Sequence, residues 1–456
     1  METSEQNIMG TKPITPLLLG MSFPIMISML VQALYNVVDS IFVARLSDAA
    51  LTAVSFAYPV QMLTIAVSVG TSVGVNALLS RRLGEGNRAA AEKVAHNGIL
   101  LMFVSWAVFA VFGLFGSGLF FSFFTDNPAI AVDGAAYLRT CLVFSLGMFL
   151  QICLERLIQV TGRTVFQMLS QLSGAVANIV LDPILIFGLL GAPRMGVLGA
   201  AVATVLGQTL GCIVCFVLNL KYNTEVRLHW RSLKFDRPSV RGIYDVGLPS
   251  IIMQSIGSVM NFGMNKILIT FSETAVSVLG VYFKLQSFVF MPGFGLTNAL
   301  VPIVGYNYGA RNKERIKKSI KVSLVIMTII MAVGTLIFQV FPGALLSMFG
   351  SGGDLARIGE PALRIISLSF LLAGVAIVFS SLFQALGEGL LSLAMSVFRQ
   401  LVVLLPAAWL LSFTGSLDAV WFSFFIAEAT SILLALGFFR HTYKNKIQKL
   451  DTLQFN

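Results

Sequence analysis

Charged side chains are scarce in this 456-residue chain. Asp, Glu, Lys and Arg together make up 11% of the residues, whereas roughly 25% is usual in a soluble domain. Apolar residues make up 56%. A water-soluble fold has too little interior to bury so many apolar side chains, so the composition indicates a membrane protein.

Residue types that react or bind metals are also few. The chain contains three His and four Cys. Cys212 and Cys215 have a CxxC spacing, but no second pair or His lies near them along the chain, and we interpret them as packing residues inside a span. The sequence has no Gly-rich phosphate loop and no ATPase motif. We therefore predict that the protein is not an enzyme, has no cofactor, and depends on an ion gradient for any transport.

Long apolar stretches dominate the sequence. A helix that crosses a membrane needs about 20 apolar residues, because it rises roughly 1.5 Å per residue through about 30 Å of hydrocarbon. Backbone groups in lipid must also bond internally, which favours helices here. Twelve stretches qualify, near residues 14–43, 51–79, 94–121, 135–159, 165–190, 196–220, 243–271, 275–304, 316–341, 363–386, 390–411 and 417–439.

The two halves of the chain resemble each other at an offset of 225 residues. The offset holds from Pro24 to Gly162 without a gap, which indicates a duplication. Matched pairs include Pro24 and Pro249, Asn36 and Asn261, Gln61 and Gln286, Gly70 and Gly295, and Lys93 and Lys318. Six spans is an even number, so both repeats enter the membrane from the same side. We predict an all-α polytopic membrane protein with 12 transmembrane helices in two six-helix lobes related by a parallel (6+6) internal repeat.

Charge in the loops predicts the orientation. Most of the 31 Lys and Arg residues lie in segments on the same side as the N-terminus, so we expect both termini in the cytoplasm of a cell (inner or plasma) membrane protein. The formal net charge of +10 then reflects basic loops beside an anionic leaflet and requires no nucleic-acid partner. The predicted domains are an N-terminal lobe (1–220), a cytoplasmic interlobe linker (221–241), a C-terminal lobe (242–440) and a cytoplasmic basic tail (441–456).

The first span carries a polar face. Its residues recur every three or four positions and are Gln32, Tyr35, Asn36 and Asp39. The matching span of the second repeat keeps only the asparagine, Asn261. A carboxylate inside a span is costly unless it faces a cavity, is paired or is protonated, so Asp39 is a candidate functional residue. The alternative is that Asp39 is simply hydrated near the outer edge of the span.

The fifth span carries a second carboxylate. Asn178 and Asp182 are one helical turn apart, and Pro183 follows them. Two carboxylates at similar depth in one lobe can share a proton or bind a monovalent cation. The alternative is that Asp182 only hydrogen-bonds to a neighbouring helix.

Three motifs together resemble one transporter family. They are Gln-x-x-Tyr-x-x-x-Asp from Gln32, Asn-x-x-x-Asp-Pro from Asn178, and Gly-Ala-Ala-x-Ala-Thr from Gly199. They are similar to the multidrug and toxic compound extrusion (MATE) family, most of all its DNA-damage-inducible-F type branch, and the resemblance covers the whole chain. It implies a two-lobed antiporter that exports lipophilic or cationic compounds in exchange for protons or sodium.

The resemblance also implies roles for individual residues. It places a site for a monovalent cation at Asp39, Asn178, Asp182 and Thr204. It places a substrate wall at Gln32, Tyr35 and Tyr137, and a hinge at Pro24. To the substrate-binding residues we add Asn36, Glu155, Gln286, Phe290 and Met291. Glu155, next to Arg156 near the inner end of the fourth span, either lines the inner cavity or snorkels to the surface.

Charges in the second repeat argue against a coupling site there. The branch that couples through its C-terminal lobe uses carboxylates in spans 7 and 10, whereas span 7 here has Lys266. Other charges in this lobe are Lys284, Arg399 and Glu428, and the simplest expectation is that Glu428 pairs with one of these bases.

Several alternatives stay open. A flippase for a lipid-linked oligosaccharide or another amphiphile would share the two-lobe plan, and a channel or a receptor is a further possibility. The sequence does not decide between protons and sodium. We expect a monomer in the lipid bilayer whose partners are small molecules.

Overall fold

The structure is a computed structural model, and it describes residues 7–228, 234–349 and 353–450. Residues 229–233 of the predicted linker and 451–456 of the predicted tail lie outside the described residues. Within these three ranges the chain forms helices joined by short turns and contains no β-strand. The predicted all-α class is confirmed.

Helices follow one another through both repeats. The first half contains α1 (Ile8–Thr11), α2 (Ile14–Ala44), α3 (Asp48–Gly84), α4 (Arg88–Phe124), α5 (Pro128–Val143), α6 (Leu146–Gln159), α7 (Thr164–Phe187) and α8 (Val197–Tyr222). The second half contains α9 (Arg237–Leu268), α10 (Glu273–Gly309), α11 (Lys313–Val340), α12 (Pro342–Ser347), α13 (Gly353–Ser367), α14 (Phe370–Ala385), α15 (Gly389–Val397), α16 (Leu405–Ser412) and α17 (Leu417–Thr442). A π-helical stretch, Phe398–Leu404, joins α15 to α16.

Most of these helices are candidate membrane spans. In the described part of the chain, nine helical stretches are long and apolar enough to cross a membrane, with α15 to α16 counted as one, and eleven qualify if two bent pairs each count as one span. The predicted seventh span corresponds to α9, a continuous helix of 32 residues that is not among the eleven. Twelve spans therefore stay a prediction.

Two predicted spans are not single helices. The fourth is divided into α5 and α6 with a bend of 41°, and the tenth into α13 and α14 with a bend of 49°. A serine lies at each break. The hydroxyls of Ser145 and Ser369 donate to the carbonyl oxygens of Leu142 and Ile366, both at 2.7 Å, and such local bonds compete with the helix ladder. An apolar run predicts a span but does not reveal where the span bends.

The duplication is visible in local geometry. Ser47 and Ser272 are paired by the repeat, and each caps the N-terminus of its helix by accepting a hydrogen bond from the backbone N–H three residues later. Gly162 and Gly387, also a pair, both have φ of +78°, where a side chain would be strained. The two repeats therefore share turns as well as apolar patterns.

The chain divides into two compact units. One comprises Met1–Ile8 and Ile27–Gly247, and the other comprises Met9–Met26 and Leu248–Asn456. The dividing points lie inside α2, two residues after Pro24, and inside α9, two residues before Pro249. Each repeat thus contributes the first part of its first long helix to the unit formed mainly by the other repeat. The lobe boundaries at residues 220 and 242 stay a prediction.

Candidate functional site

Four predicted residues form one polar cluster in the first unit. Asp39 comes from α2, Asn178 and Asp182 from α7, and Thr204 from α8. Asp39 and Asp182 each lie five residues before the end of their helix. Asp182 and Asn178 are buried, and the other two are half-buried. We call these residues the carboxyl cluster.

The two carboxyl groups contact each other. The side chains of Asp39 and Asp182 are within hydrogen-bonding reach across α2 and α7. Within residues 7–228, 234–349 and 353–450 no Lys or Arg forms an ion pair with either group, and Asp39 Oδ1 is buried without a hydrogen-bond partner. Two ionised carboxylates in contact repel each other strongly away from water, so the arrangement is suited to hold a proton or a cation between them.

Asn178 links Asp182 to Thr204. In one amide orientation its Nδ2 donates to Asp182 Oδ1 and to Thr204 Oγ1, both at 3.4 Å. With the amide reversed, its nitrogen donates to Asp182 Oδ2 at 3.3 Å and its oxygen accepts from the Thr204 backbone N–H at 3.2 Å. The reversed orientation satisfies both ends of the amide, so we assign it. Carboxylate, amide and hydroxyl oxygens are the hard ligands that alkali and alkaline-earth cations prefer.

Glycines bring α7 and α8 close enough for these contacts. A Cβ atom on Gly174 would lie 2.9 Å from Gly207 O, and one on Gly207 would lie 2.7 Å from Gly174 O. A Cβ atom on Gly199 would lie 2.6 Å from Leu185 O. Small residues let helix backbones touch in a membrane, and here they do so one turn from Asn178 and Thr204. The Gly-Ala-Ala run therefore serves helix packing.

Two tyrosines lie beside the carboxyl cluster. Tyr35 on α2 hydrogen-bonds with Gln32 and is within electrostatic range of both carboxyl groups. Tyr137 on α5 is buried, and its hydroxyl accepts a hydrogen bond of 3.3 Å from Gln61 Nε2. Gln32 and Asn36 are exposed on the same helix as Asp39. Gln61 was not among the predicted site residues, although its match with Gln286 marked it as a polar residue inside a span.

A second buried carboxyl group lies elsewhere in the first unit. Glu155 on α6 is 3% exposed and accepts hydrogen bonds from Gln171 Nε2 at 2.7 Å and Gln151 Nε2 at 3.0 Å. Arg156 is also buried, and its Nη1 donates to Gln159 Oε1 at 2.7 Å. The snorkelling alternative for Glu155 is wrong, since two glutamine amides hold the carboxyl group inside the unit.

The predicted substrate residues of the second repeat all lie on α10. Gln286 and Met291 are half-buried, and Phe290 is 7% exposed. The ring of Phe290 packs edge-to-face against Phe370, with centroids 5.2 Å apart. The structure places these three side chains along one helix, and substrate contact stays a prediction for each.

The four charged residues singled out in the second repeat form one ion pair and two aromatic contacts. Arg399 Nη1 and Glu428 Oε1 are 3.0 Å apart, which confirms that Glu428 pairs with a base. Lys266 lies over the ring of Phe262 and Lys284 over the ring of Phe349, at 5.7 and 5.8 Å from the centroids. In the described residues, no group of three or more His, Cys, Asp or Glu side chains is suited to hold a metal ion.

Known proteins match this chain over both repeats. A family model described as MatE matches residues 24–184 and 249–410, two segments that begin at the paired prolines Pro24 and Pro249. The multidrug export protein MepA of Staphylococcus haemolyticus (strain JCSC1435) is 26% identical over 427 residues, which cover 93% of both chains. The probable multidrug resistance protein YoeA of Bacillus subtilis (strain 168) is 28% identical in an alignment 460 residues long that covers 98% of both chains.

The fold is similar to that of a solved transporter. The structure of a MOP superfamily transporter from Pyrococcus furiosus Vc1 superposes with a TM-score of 0.90 at 26% identity, covering 99% of this chain and 100% of that one. The family match extends over well more than half of the chain and over both repeats. The chain therefore belongs to the MatE family, the family of multidrug and toxic compound extrusion transporters.

Proposed function

We propose that this protein is a secondary active exporter that moves lipophilic or cationic compounds out of the cell in exchange for protons or sodium, by alternating access. The contact between Asp39 and Asp182 is the observation that supports this most directly. Members of the MatE family are membrane transporters of small molecules and not enzymes, and they need no cofactor.

The carboxyl cluster is suited to couple two fluxes. At about 4 Å and an effective dielectric constant of about 20, two unit charges interact by about 4 kcal/mol. A proton or cation that enters between Asp39 and Asp182 removes this repulsion, and its departure restores it. A site with this property takes up the coupling ion where the ion is abundant and releases it where the ion is dilute. Asn178 and Thr204 complete the set of oxygen ligands.

Substrate recognition is proposed for the side chains around this cluster. Gln32, Tyr35 and Asn36 continue the Asp39 face of α2, and Tyr137 lies on α5 beside it. Glu155 supplies a further buried carboxyl group for a cationic substrate. Gln286, Phe290 and Met291 on α10 are proposed as further substrate-binding residues.

Pro24 is proposed as the hinge of the transport cycle. It lacks an N–H and crowds the carbonyl one turn earlier, which weakens a helix locally. It lies inside α2, two residues before the chain passes from one compact unit to the other. A flexible point here would let the two parts of α2 follow different units.

Assignment to the DNA-damage-inducible-F type branch belongs to the same proposal. It is supported by the two carboxyl groups of the first unit and by Lys266 on α9. We further propose that the protein is a monomer in the cell membrane. The basic loops support an orientation with both termini in the cytoplasm.

Transport by purified protein in liposomes tests this function. Efflux of a lipophilic cation should occur under a pH gradient alone or a sodium gradient alone, and it should stop when the gradient is collapsed. The matched variant Asp133→Asn removes an exposed carboxyl group of α5 in the same unit and should transport like the parent. Movement of a lipid-linked oligosaccharide without either gradient would instead support the flippase.

A further inference from the structure

One exposed stripe on α11 combines apolar and basic side chains. Its apolar part is 52–62% exposed and consists of Val325, Ile329, Val333, Leu336 and Val340. These residues recur every three or four positions, so they lie on one face of the helix. Because α11 is a candidate span, an exposed apolar face of this length is suited to contact lipid chains.

Two lysines extend this stripe towards the start of the helix. Lys318 and Lys321 are exposed and precede Val325 at the same spacing. In the part of the chain that the structure describes, neither forms an ion pair. From Lys318 to Val340 the helix rises about 33 Å, close to the roughly 30 Å of a hydrocarbon layer. The lysines are therefore at the level of lipid headgroups when the apolar part lies in the hydrocarbon.

The first repeat contains the same stripe without the same charge. Its exposed apolar residues on α4 match those of α11 at the 225-residue offset and are Val104, Val108, Val111 and Phe115. Before the apolar residues of α4, Lys93 is at the position that matches Lys318. The position that matches Lys321 is His96, which is only 5% exposed. Glu92 occupies the position that matches Lys317 at the 225-residue offset. A general preference for basic residues at one side of a membrane would act on both repeats. It therefore does not explain why the stripe of the second repeat has more exposed lysines than the stripe of the first.

Lys317, the lysine next to Lys318 on α11, already has partners within the protein. Lys317 Nζ donates to Glu314 Oε1 at 2.9 Å and also contacts Tyr443, which follows α17. Lys318 and Lys321 are left to act on a ligand from outside the protein.

We propose that Lys318, Lys321 and the apolar stripe of α11 form a binding site for an anionic glycerophospholipid. The lysine ammonium groups bind the negatively charged headgroup, and the acyl chains lie along Val325 and the residues that follow it. Lysines at a membrane surface attract anionic lipid electrostatically, with about a fivefold gain in affinity for each. The proposal concerns lipid bound to the transporter and does not depend on what the transporter exports.

The experiment measures lipid bound to the purified full-length protein by native mass spectrometry. Protein in detergent is titrated with phosphatidylglycerol or with phosphatidylcholine that carries the same acyl chains. The parent should retain phosphatidylglycerol preferentially. The variant Lys318→Gln/Lys321→Gln should lose about fivefold per lysine in this preference, whereas Lys93→Gln should leave it within twofold.

The remaining arms identify the source of the negative charge. Inorganic phosphate at the same concentration should neither bind nor displace the lipid, because it lacks acyl chains, and 0.5 M salt should reduce the preference by screening. Equal binding of the two lipids by the parent would overturn the proposal. So would an unchanged preference in the double variant, an equal loss in Lys93→Gln, or displacement of the lipid by phosphate alone.

Discussion

Replacement of Asp182 by Asn is the sharpest test of the coupling proposal. Asn has nearly the shape of Asp and still hydrogen-bonds, so contacts with Asn178 and Asp39 remain possible while one negative charge is removed. Asp182 is fully buried at the contact with Asp39, where little water replaces the lost charge. The variant should therefore insert and fold normally.

The expected loss follows from the contact. A cation held about 4 Å from a carboxylate, at an effective dielectric constant of about 20, gains about 4 kcal/mol. Since about 1.4 kcal/mol corresponds to a factor of ten, loss of one carboxylate should weaken the binding of a coupling cation about 1,000-fold. A coupling proton loses its acceptor altogether. In both cases efflux driven by a gradient should fall to the background of empty liposomes.

The assay is initial efflux of a fluorescent lipophilic cation from proteoliposomes, first under a pH gradient and then under a sodium gradient. Size-exclusion profiles and thermal unfolding of the purified variant establish that it is folded. Asp133→Asn, which removes an exposed carboxyl group from α5, should behave as the parent in every measurement. Gradient-driven efflux by Asp182→Asn within twofold of the parent would refute the assignment of the coupling site.

Three further predictions concern other parts of the molecule. Glu428→Gln leaves the partly buried Arg399 without its counter-charge, so we expect a loss of up to about 3–5 kcal/mol in stability and an unchanged ion dependence of transport. The control Lys266→Gln should alter neither quantity, and a changed ion dependence in Glu428→Gln would contradict this prediction. Pro24→Ala should slow turnover, measured by efflux kinetics, more than it weakens substrate binding, measured at equilibrium. An unchanged turnover would mean that the proline is incidental to transport. Gly74→Ala would bring a Cβ atom to 2.0 Å from the Ile243 carbonyl oxygen, so thermal unfolding should show a loss of about 1–3 kcal/mol in the free energy of unfolding. Gly20→Ala is the control, because a Cβ atom there would have no atom within 4 Å, and it should not destabilise the protein. Equal unfolding midpoints for the two variants would show that the close contact at Gly74 is unimportant.

Much of the candidate site was recognisable from single helices. Asp39 and Asp182 stood out because a carboxylate inside an apolar span is costly, whatever the helix packs against, and Asn178 stood out because it is one helical turn from Asp182. Gln151 and Gln171 were not recognised as partners of Glu155, because neutral amides inside a span give no charge signal. The spacing of Gln151 and Glu155, four residues apart, was the clue that would have found the first of them.

The sequence by itself determined the membrane class, the repeat and the residues of the first unit that carry charge in the membrane. These features are sums or periodicities along the chain, so they do not depend on which helices become neighbours. The tertiary structure decided that Asp39 meets Asp182, that Glu428 pairs with Arg399 rather than with Lys266 or Lys284, and that the fourth and tenth spans bend at serines. It also assigned residues 9–26 to the unit formed mainly by the second repeat. Such features depend on how closely helix backbones approach, as at Gly174 and Gly207, and that distance results from packing over whole helices that no local pattern encodes.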